Sequence, residues 1–142
     1  MPIIRAGQAI TDQSTQPHPV LGTFTAMLLS DSGGLDQFGA FTETLPPSSK
    51  SSLRHWHQTE DEMIYMLSGT VTVHEGDASA LLHAGDSATF KAGVPVGHYL
   101  ENTSGAAATY LVIGTRAGSD VITYPDHNCC CILTGQQVNG GM

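Results

Sequence analysis

Turn residues recur about every ten positions along most of this chain, and only short β-type runs fit between them. Ser30-Asp31-Ser32-Gly33-Gly34, Pro46-Pro47, Glu75-Gly76-Asp77, Ala84-Gly85-Asp86 and Asn102-Thr103-Ser104-Gly105 are the plainest of these breaks. The runs between them predict strands over 24–29, 38–45, 53–57, 63–67, 71–73, 80–82, 88–90, 98–100, 109–113 and 121–124. No stretch of ~12 residues sustains an apolar period of 3.6, so any helix is short. Many short strands with regular turns favour an all-β sandwich or barrel over βαβ units.

The length, 142 residues, suits one domain with a core. Residues 1–20 are polar, carry Pro2, Pro17 and Pro19, and read as an arm or first strand. Residues 21–126 read as the barrel, and 127–142 as a C-terminal strand or tail that frays from Gln136. The net charge is −8 with only 5 Lys and Arg, so no cationic face exists to neutralise phosphates. Nucleic acid and anionic membranes are therefore not expected partners. No apolar run approaches the ~20 residues of a membrane span. The first residues lack a secretion signal, which makes the cytoplasm the expected location. Cys129, Cys130 and Cys131 are consecutive, a spacing that suits neither an ordinary disulfide nor a zinc pattern. They are expected in a strand or tail of a reducing compartment.

The informative segment is Arg54-His55-Trp56-His57-Gln58-Thr59-Glu60-Asp61-Glu62. On a strand, residues i and i+2 share a face, so His55 and His57 project together. Glu62 opens the next apolar run, and a short loop can swing its carboxylate beside the two rings. Two His and one carboxylate on one side of an ion leave other coordination positions open. Downstream, a strand, a Gly/Pro turn and a returning strand would bring His98 alongside. His18, His74, His83 and His127 are expected to be structural or exposed.

These residues carry a resemblance. The first stretch is similar to the first cupin motif: His55-x-His57, four residues, Glu62, six residues, Gly69. The second motif is matched by Gly85, Gly93, His98, three residues and Asn102, with Lys91 at the place of the motif's Pro. Four residues, rather than two, separate Gly93 from His98. Ser52-Leu53-Arg54-His55-Trp56-His57, Asp61-Glu62, Gly97-His98, Gly114-Thr115-Arg116 and Tyr124-Pro125-Asp126 look like small bacterial single-domain cupins. The resemblance implies a double-stranded β-helix, a jelly-roll barrel, with one divalent metal held by His55, His57, Glu62 and His98.

Fe, Mn, Ni, Zn and Co all suit such a donor set. Each ligating His is expected to use its second nitrogen on a carbonyl, carboxylate or water; Asp61 or Gln58 could serve, although both read first as solvated loop residues. By strand alternation Trp56 and Arg54 should face away from the ion. Tyr65 and Tyr99 are candidates for general acid or hydrogen-bond roles, and Arg116 for an anchor on an acidic substrate or, just as well, a structural salt bridge. Glu60 and Asp61 read as a solvated turn.

The expected function is a metal-dependent enzyme on a small organic molecule, of dioxygenase or isomerase, epimerase or lyase type. The alternative is a non-catalytic module that binds or senses a sugar or metabolite. No Gly-x-Ser-x-Gly nucleophile and no phosphate loop appears. An exposed sheet edge and an apolar outer face make a C2 homodimer the expected assembly, with the N-terminal arm and residues 129–131 as contact elements.

Overall fold

The structure, a computed structural model, describes residues 2–134. The expected fraying from Gln136 lies outside the described residues. Twelve strands follow in order: β1 Ile10–Gln13, β2 Thr25–Leu28, β3 Phe38–Leu45, β4 Trp56–His57, β5 Glu62–Ser68, β6 Val71–Glu75, β7 Ala78–Leu82, β8 Ser87–Phe90, β9 His98–Glu101, β10 Ala108–Thr115, β11 Ser119–Tyr124 and β12 Cys129–Thr134. The helices are one turn each, Leu29–Ser32 and the 3-10 segment Pro125–His127. The all-β expectation holds, and every strand pairing is antiparallel.

One wall of the barrel is a six-stranded sheet in the order β1-β2-β3-β10-β5-β8. The other wall is two three-stranded sheets, β12-β11-β4 and β7-β6-β9. Paired backbone hydrogen bonds between His55 and His98, 2.8 and 3.2 Å, stitch those two together where β4 approaches β9. The seam between the small sheets therefore lies at two of the sequence-selected histidines.

Alternation decides which residues fill the barrel. Along β3, Gly39, Phe41, Glu43 and Leu45 point inward, and along β10 Ala108, Tyr110 and Val112 do the same. With Ile64, Met66, Val71, Phe90 and Leu100 they form the core. Tyr110 is fully buried, and its hydroxyl donates to Glu43 Oε1.

Two motif residues prove to be backbone devices. Asn102 is fully buried; its amide donates to Leu45 O and Ala106 O at 2.8 Å each, and its Oδ1 accepts from Ser104. It fastens the β9–β10 turn. Gly69 has φ +72°, and a Cβ there would sit 2.6 Å from Ala107 O and 2.8 Å from Ala108 Cα. Gly69→Ala therefore combines a left-handed backbone with a backbone clash, and a loss of at least ~2 kcal/mol is expected in urea unfolding. A loss below ~0.5 kcal/mol, the range of ordinary surface changes, would contradict it.

Candidate metal centre

His55 and His57 flank Trp56 beside β4, Glu62 opens β5, and His98 opens β9. Three segments thus bring four candidate donors to one end of the barrel, two of them close in sequence and the third, at His98, distant. One donor atom each from His55, Glu62 and His98 lies within 4.8 Å of the others. His57 Nε2 approaches Glu62 Oε1 to 2.8 Å, and His98 Nε2 lies 3.7 Å from that same oxygen. The ring of His55 is 5.1 Å from that of His57 and 4.8 Å from that of His98.

The inner nitrogens are aimed by partners on the outer ones. His55 Nδ1 donates to Leu53 O at 2.8 Å, which leaves its Nε2 as the free nitrogen. His57 Nδ1 donates to Asp120 Oδ2 at 2.6 Å. Asp120, itself buried, is fixed by the backbone N–H and hydroxyl of Thr59, both at 2.9 Å. His98 is stacked on Phe90, with ring centroids 3.7 Å apart and planes 9° apart. The longer Gly93-to-His98 spacing is absorbed in the loop, where Gly93 N–H donates to His57 O and Val96 N–H to Val94 O.

The electrostatics agree with a cation-binding role. His55 is lowered to about 4, first by burial and then by its neighbour His98, so it is a neutral donor at physiological pH. Burial alone would lower His57 as well, but the Glu62 and Asp120 carboxylates raise it to about 9. The proton on its Nε2 occupies the direction a metal ion would take, so the two compete. Glu62 is lowered to about 2: burial pushes the other way, and the contacts with His57 and His98 prevail. Glu62 Oε1 is buried against the protonated His57 Nε2 at 2.8 Å, while His98 Nε2, also buried, has no hydrogen-bond partner. An unsatisfied buried polar atom costs about 1–3 kcal/mol. The unsatisfied His98 Nε2, 3.7 Å from the Glu62 carboxylate and beside two histidines with positioned rings, belongs to a donor set that fits one divalent cation.

A mouth of about 190 Å³ opens over these donors. Trp56, Phe90, Val94 and Val96 give it apolar walls, and Glu60, Glu75 and Lys91 line it as well. A second groove, about 420 Å³, runs from Glu62 past Phe38, Met63 and Ile113 on the outer side of the large sheet.

Several sequence readings change here. Asp61 and Gln58 do not hold the second nitrogens. Asp61 Oδ1 accepts from Ala92 N–H, and the partners of the imidazoles are Asp120 and the Leu53 carbonyl. Asp120 is about sixty residues from His57 in sequence, so only the β4–β11 pairing brings it close. Trp56 lines the mouth instead of facing away, because β4 is only two residues long and strand alternation does not govern its end. Arg54 does face away, toward Asp126 at 3.2 Å. Glu60 is no solvated turn residue: its side chain is 12% exposed, Oε2 accepts from Ala117 N–H, and its carboxyl is raised mainly by burial.

Tyr65 points out of the barrel between inward Ile64 and Met66. Tyr99 points outward too and stacks on His74 at 4.5 Å. Arg116 is held by Asp31 at 2.5 Å and by Leu35 O. None of these three lines the mouth. His74 pairs with Glu101, and His18 Nδ1 accepts from Val20 and Leu21 N–H.

Asp120→Asn tests the aiming. The expected result is a metal affinity about 10–100-fold weaker with the fold retained, read by competition with a chromogenic chelator. Unchanged affinity would mean that Asp120 serves the fold alone.

The cupin domain model matches residues 41–114, just over half of the chain. The chain is similar to a solved structure from Silicibacter pomeroyi described as a sugar phosphate isomerase of the cupin superfamily. Identity is 30%, TM-score 0.86, and coverage 98% of this chain and 92% of that one. A protein from Acidithiobacillus ferrooxidans, provisionally assigned as a sugar phosphate isomerase, is 25% identical with TM-score 0.72, covering 79% of this chain and 76% of its own. The polyketide cyclase RemF from Streptomyces resistomycificus shares the fold at 18% identity and TM-score 0.65, over 81% of this chain and 79% of that one. No curated protein matches the chain. Among the described residues no helix is long and apolar enough to cross a membrane. With both motifs in place on a twelve-stranded antiparallel barrel, and a near full-length relative at 30% identity, this chain belongs to the cupin family.

Proposed function

We propose that this chain is a divalent-metal isomerase acting on a small polyhydroxylated carbonyl compound, a phosphorylated sugar being the leading candidate. The observation that carries the reading is the convergence of His55, Glu62 and His98, joined by His57 through its 2.8 Å contact with Glu62, at an open mouth. Four protein donors on an octahedral ion leave two positions, enough for a carbonyl and a neighbouring hydroxyl. The likeness to a protein described as a sugar phosphate isomerase, over nearly the whole of both chains, supports this choice over oxygen chemistry.

A bound divalent cation would act as a Lewis acid, polarising the substrate carbonyl. The chain's own residues supply the rest. Isomerisation moves a proton between neighbouring carbons, and the wall of the mouth holds two carboxylates beyond the ligands, Glu60 and Glu75. Glu60 carries the raised carboxyl, the direction that favours proton exchange near neutral pH. Trp56, Phe90, Val94 and Val96 shield the site from water on their side. Lys91 stands at the mouth as its one Lys or Arg, suited to the anionic end of a substrate.

The test is NMR of the protein loaded with Fe(II), Mn, Ni, Co or Zn, in deuterated water, against aldose and ketose phosphates and their unphosphorylated forms. Interconversion with solvent deuterium at the carbon beside the carbonyl is expected, and it should be lost in Glu60→Gln with metal content unchanged. Oxygen uptake with a sugar-free substrate would instead make the chain a dioxygenase. Thermal stabilisation by a sugar with neither turnover nor exchange would make it a binding module.

A further inference from the structure

Val94-Pro95-Val96-Gly97 fills the stretch between Gly93 and His98, where the cupin motif has two residues instead of four. The longer stretch puts two valines into the wall of the mouth over the metal donors. Val94 is 44% exposed and Val96 38%. A single exposed valine on a convex surface is ordinary. Two in a concave mouth are different, because a molecule bound there lies against them. Trp56 and Phe90 extend the apolar lining.

The loop is fastened along its length. Gly93 N–H donates to His57 O at 2.9 Å, Val94 N–H to Lys91 O at 3.4 Å, and Val96 N–H to Val94 O at 2.8 Å. At its far end Gly97 O accepts from Gly76 N–H at 2.9 Å. Gly76 lets Val96 come close: a Cβ there would sit 3.1 Å from Val96 Cγ1. Pro95 fixes its own φ and has no N–H. From Gly93 to Val96, every backbone N–H is therefore spent inside the protein or absent. No side chain from Ala92 to Gly97 carries a polar atom. A substrate hydroxyl laid on this wall leaves water and finds no donor, which costs affinity. An alkyl group laid there gains roughly fourfold in affinity per buried methylene. The polar groups of the mouth, Glu60, Glu75 and Lys91, are left for the hydroxylated or anionic part of the molecule.

Resting on the metal-isomerase reading above, we infer that the substrate lacks a hydroxyl at one carbon. It is an alkyl-bearing hydroxycarbonyl compound of the deoxy-sugar class, with the unhydroxylated carbon seated on Val94 and Val96. The two valines determine specificity and take no part in moving the proton. Because their loop is held in place before anything binds, little ordering is required of the wall on binding.

Binding of 2-hydroxy acids to the cobalt(II)-loaded full chain, read by its visible absorption, tests this without turnover. Such acids chelate a divalent ion through carboxylate and hydroxyl, as a hydroxycarbonyl substrate would. Glycolate, lactate, 2-hydroxybutyrate and 2-hydroxyvalerate lengthen the alkyl group one carbon at a time. Glycerate replaces the terminal methyl of 2-hydroxybutyrate by a hydroxyl. Wild type is expected to gain roughly fourfold per added methylene. It should also prefer 2-hydroxybutyrate to glycerate by about tenfold or more. The double variant, Val94→Thr with Val96→Thr, keeps the volumes and should lose that preference with its cobalt content unchanged. A wild type that answers none of the acids, or binds 2-hydroxybutyrate and glycerate equally, would overturn the inference. A preference that survives in the threonine variant would overturn it too, and would assign the selectivity to Trp56 and Phe90. The isomerase reading fails separately: an alkyl preference without interconversion of any sugar would keep the wall and remove the reaction. A chain that takes up no cobalt(II) would overturn both.

Discussion

Glu62→Gln is expected to lose its metal, with affinity falling by more than the ~10–100-fold attached to an outer partner such as Asp120. Glu62 is the one proposed ligand of carboxylate type, and it touches both His57 and His98. Glutamine keeps the volume and removes the anion. Metal analysis should find close to one ion per chain in wild type and little in the variant. The loss should also appear in stability. A ligand at ~1,000 times its Kd stabilises the folded state by about 4 kcal/mol. For a chain of this size about 2–4 °C of Tm accompanies each kcal/mol, so adding metal should raise the wild-type Tm by roughly 8–16 °C. The variant should show almost none of that increment. A variant that keeps both its ion and its increment would remove Glu62 from the ligand set.

The sequence could single out these four candidate residues because of their motif spacing, and the fold brings their side chains together. Strand alternation suggests that His55 and His57 share a face, but β4 is only two residues long, and it is the His55–His98 bridge and the β4–β11 pairing that place the two rings. Asp120 was not legible in the same way. It is an ordinary acidic residue in a weakly patterned segment, and its importance arises only when β11 pairs with β4. Glu60 was misread for a related reason. A run of Glu60, Asp61 and Glu62 looks like a solvated turn, and nothing local shows that Ala117 will cap one of its oxygens. Strand alternation placed Tyr65 and Tyr99 only after register was known; both fall on the odd side of strands whose even residues face inward. The helical turn at Leu29–Ser32 appeared in the sequence as a turn cluster, and the difference is small: one turn of helix held by Ser30 and Ser32 hydroxyl contacts. Arg116 is a lone cation whose partner, Asp31, lies in the helical turn Leu29–Ser32 far upstream, so sequence spacing carried no sign of the pair.

Glu43→Gln is expected to gain stability relative to wild type as pH rises, and this concerns a residue that the turn pattern does not single out. Parity along β3 sends Glu43 inward with Phe41 and Leu45, where it is 1% exposed. Burial pushes its carboxyl up to about 7, the hydrogen bond from Tyr110 opposes this, and the charge of Asp12 adds to the rise. Asp12 lies on the same side, across the small Ala26 that pairs with both residues. The folded state therefore binds the Glu43 proton more tightly than the unfolded chain does. Below the ordinary value of 4.5 both states are protonated and Glu43 brings no penalty. Between there and about 7 the unfolded chain ionises first, and stability falls with rising pH. Above about 7 the penalty is constant, at about 3 kcal/mol from ~1.4 kcal/mol per unit. Glutamine keeps an acceptor for the Tyr110 hydroxyl and cannot ionise. Its own fixed cost, an amide N–H without a partner, is the same at every pH. The titrations of the metal centre are common to both proteins and cancel in the difference. The Tm difference between variant and wild type should thus move in the variant's favour by roughly 6–12 °C between pH 4.5 and pH 8. Melting curves across that range decide it, and a difference that stays flat with pH would mean that Glu43 ionises inside the barrel as easily as in water.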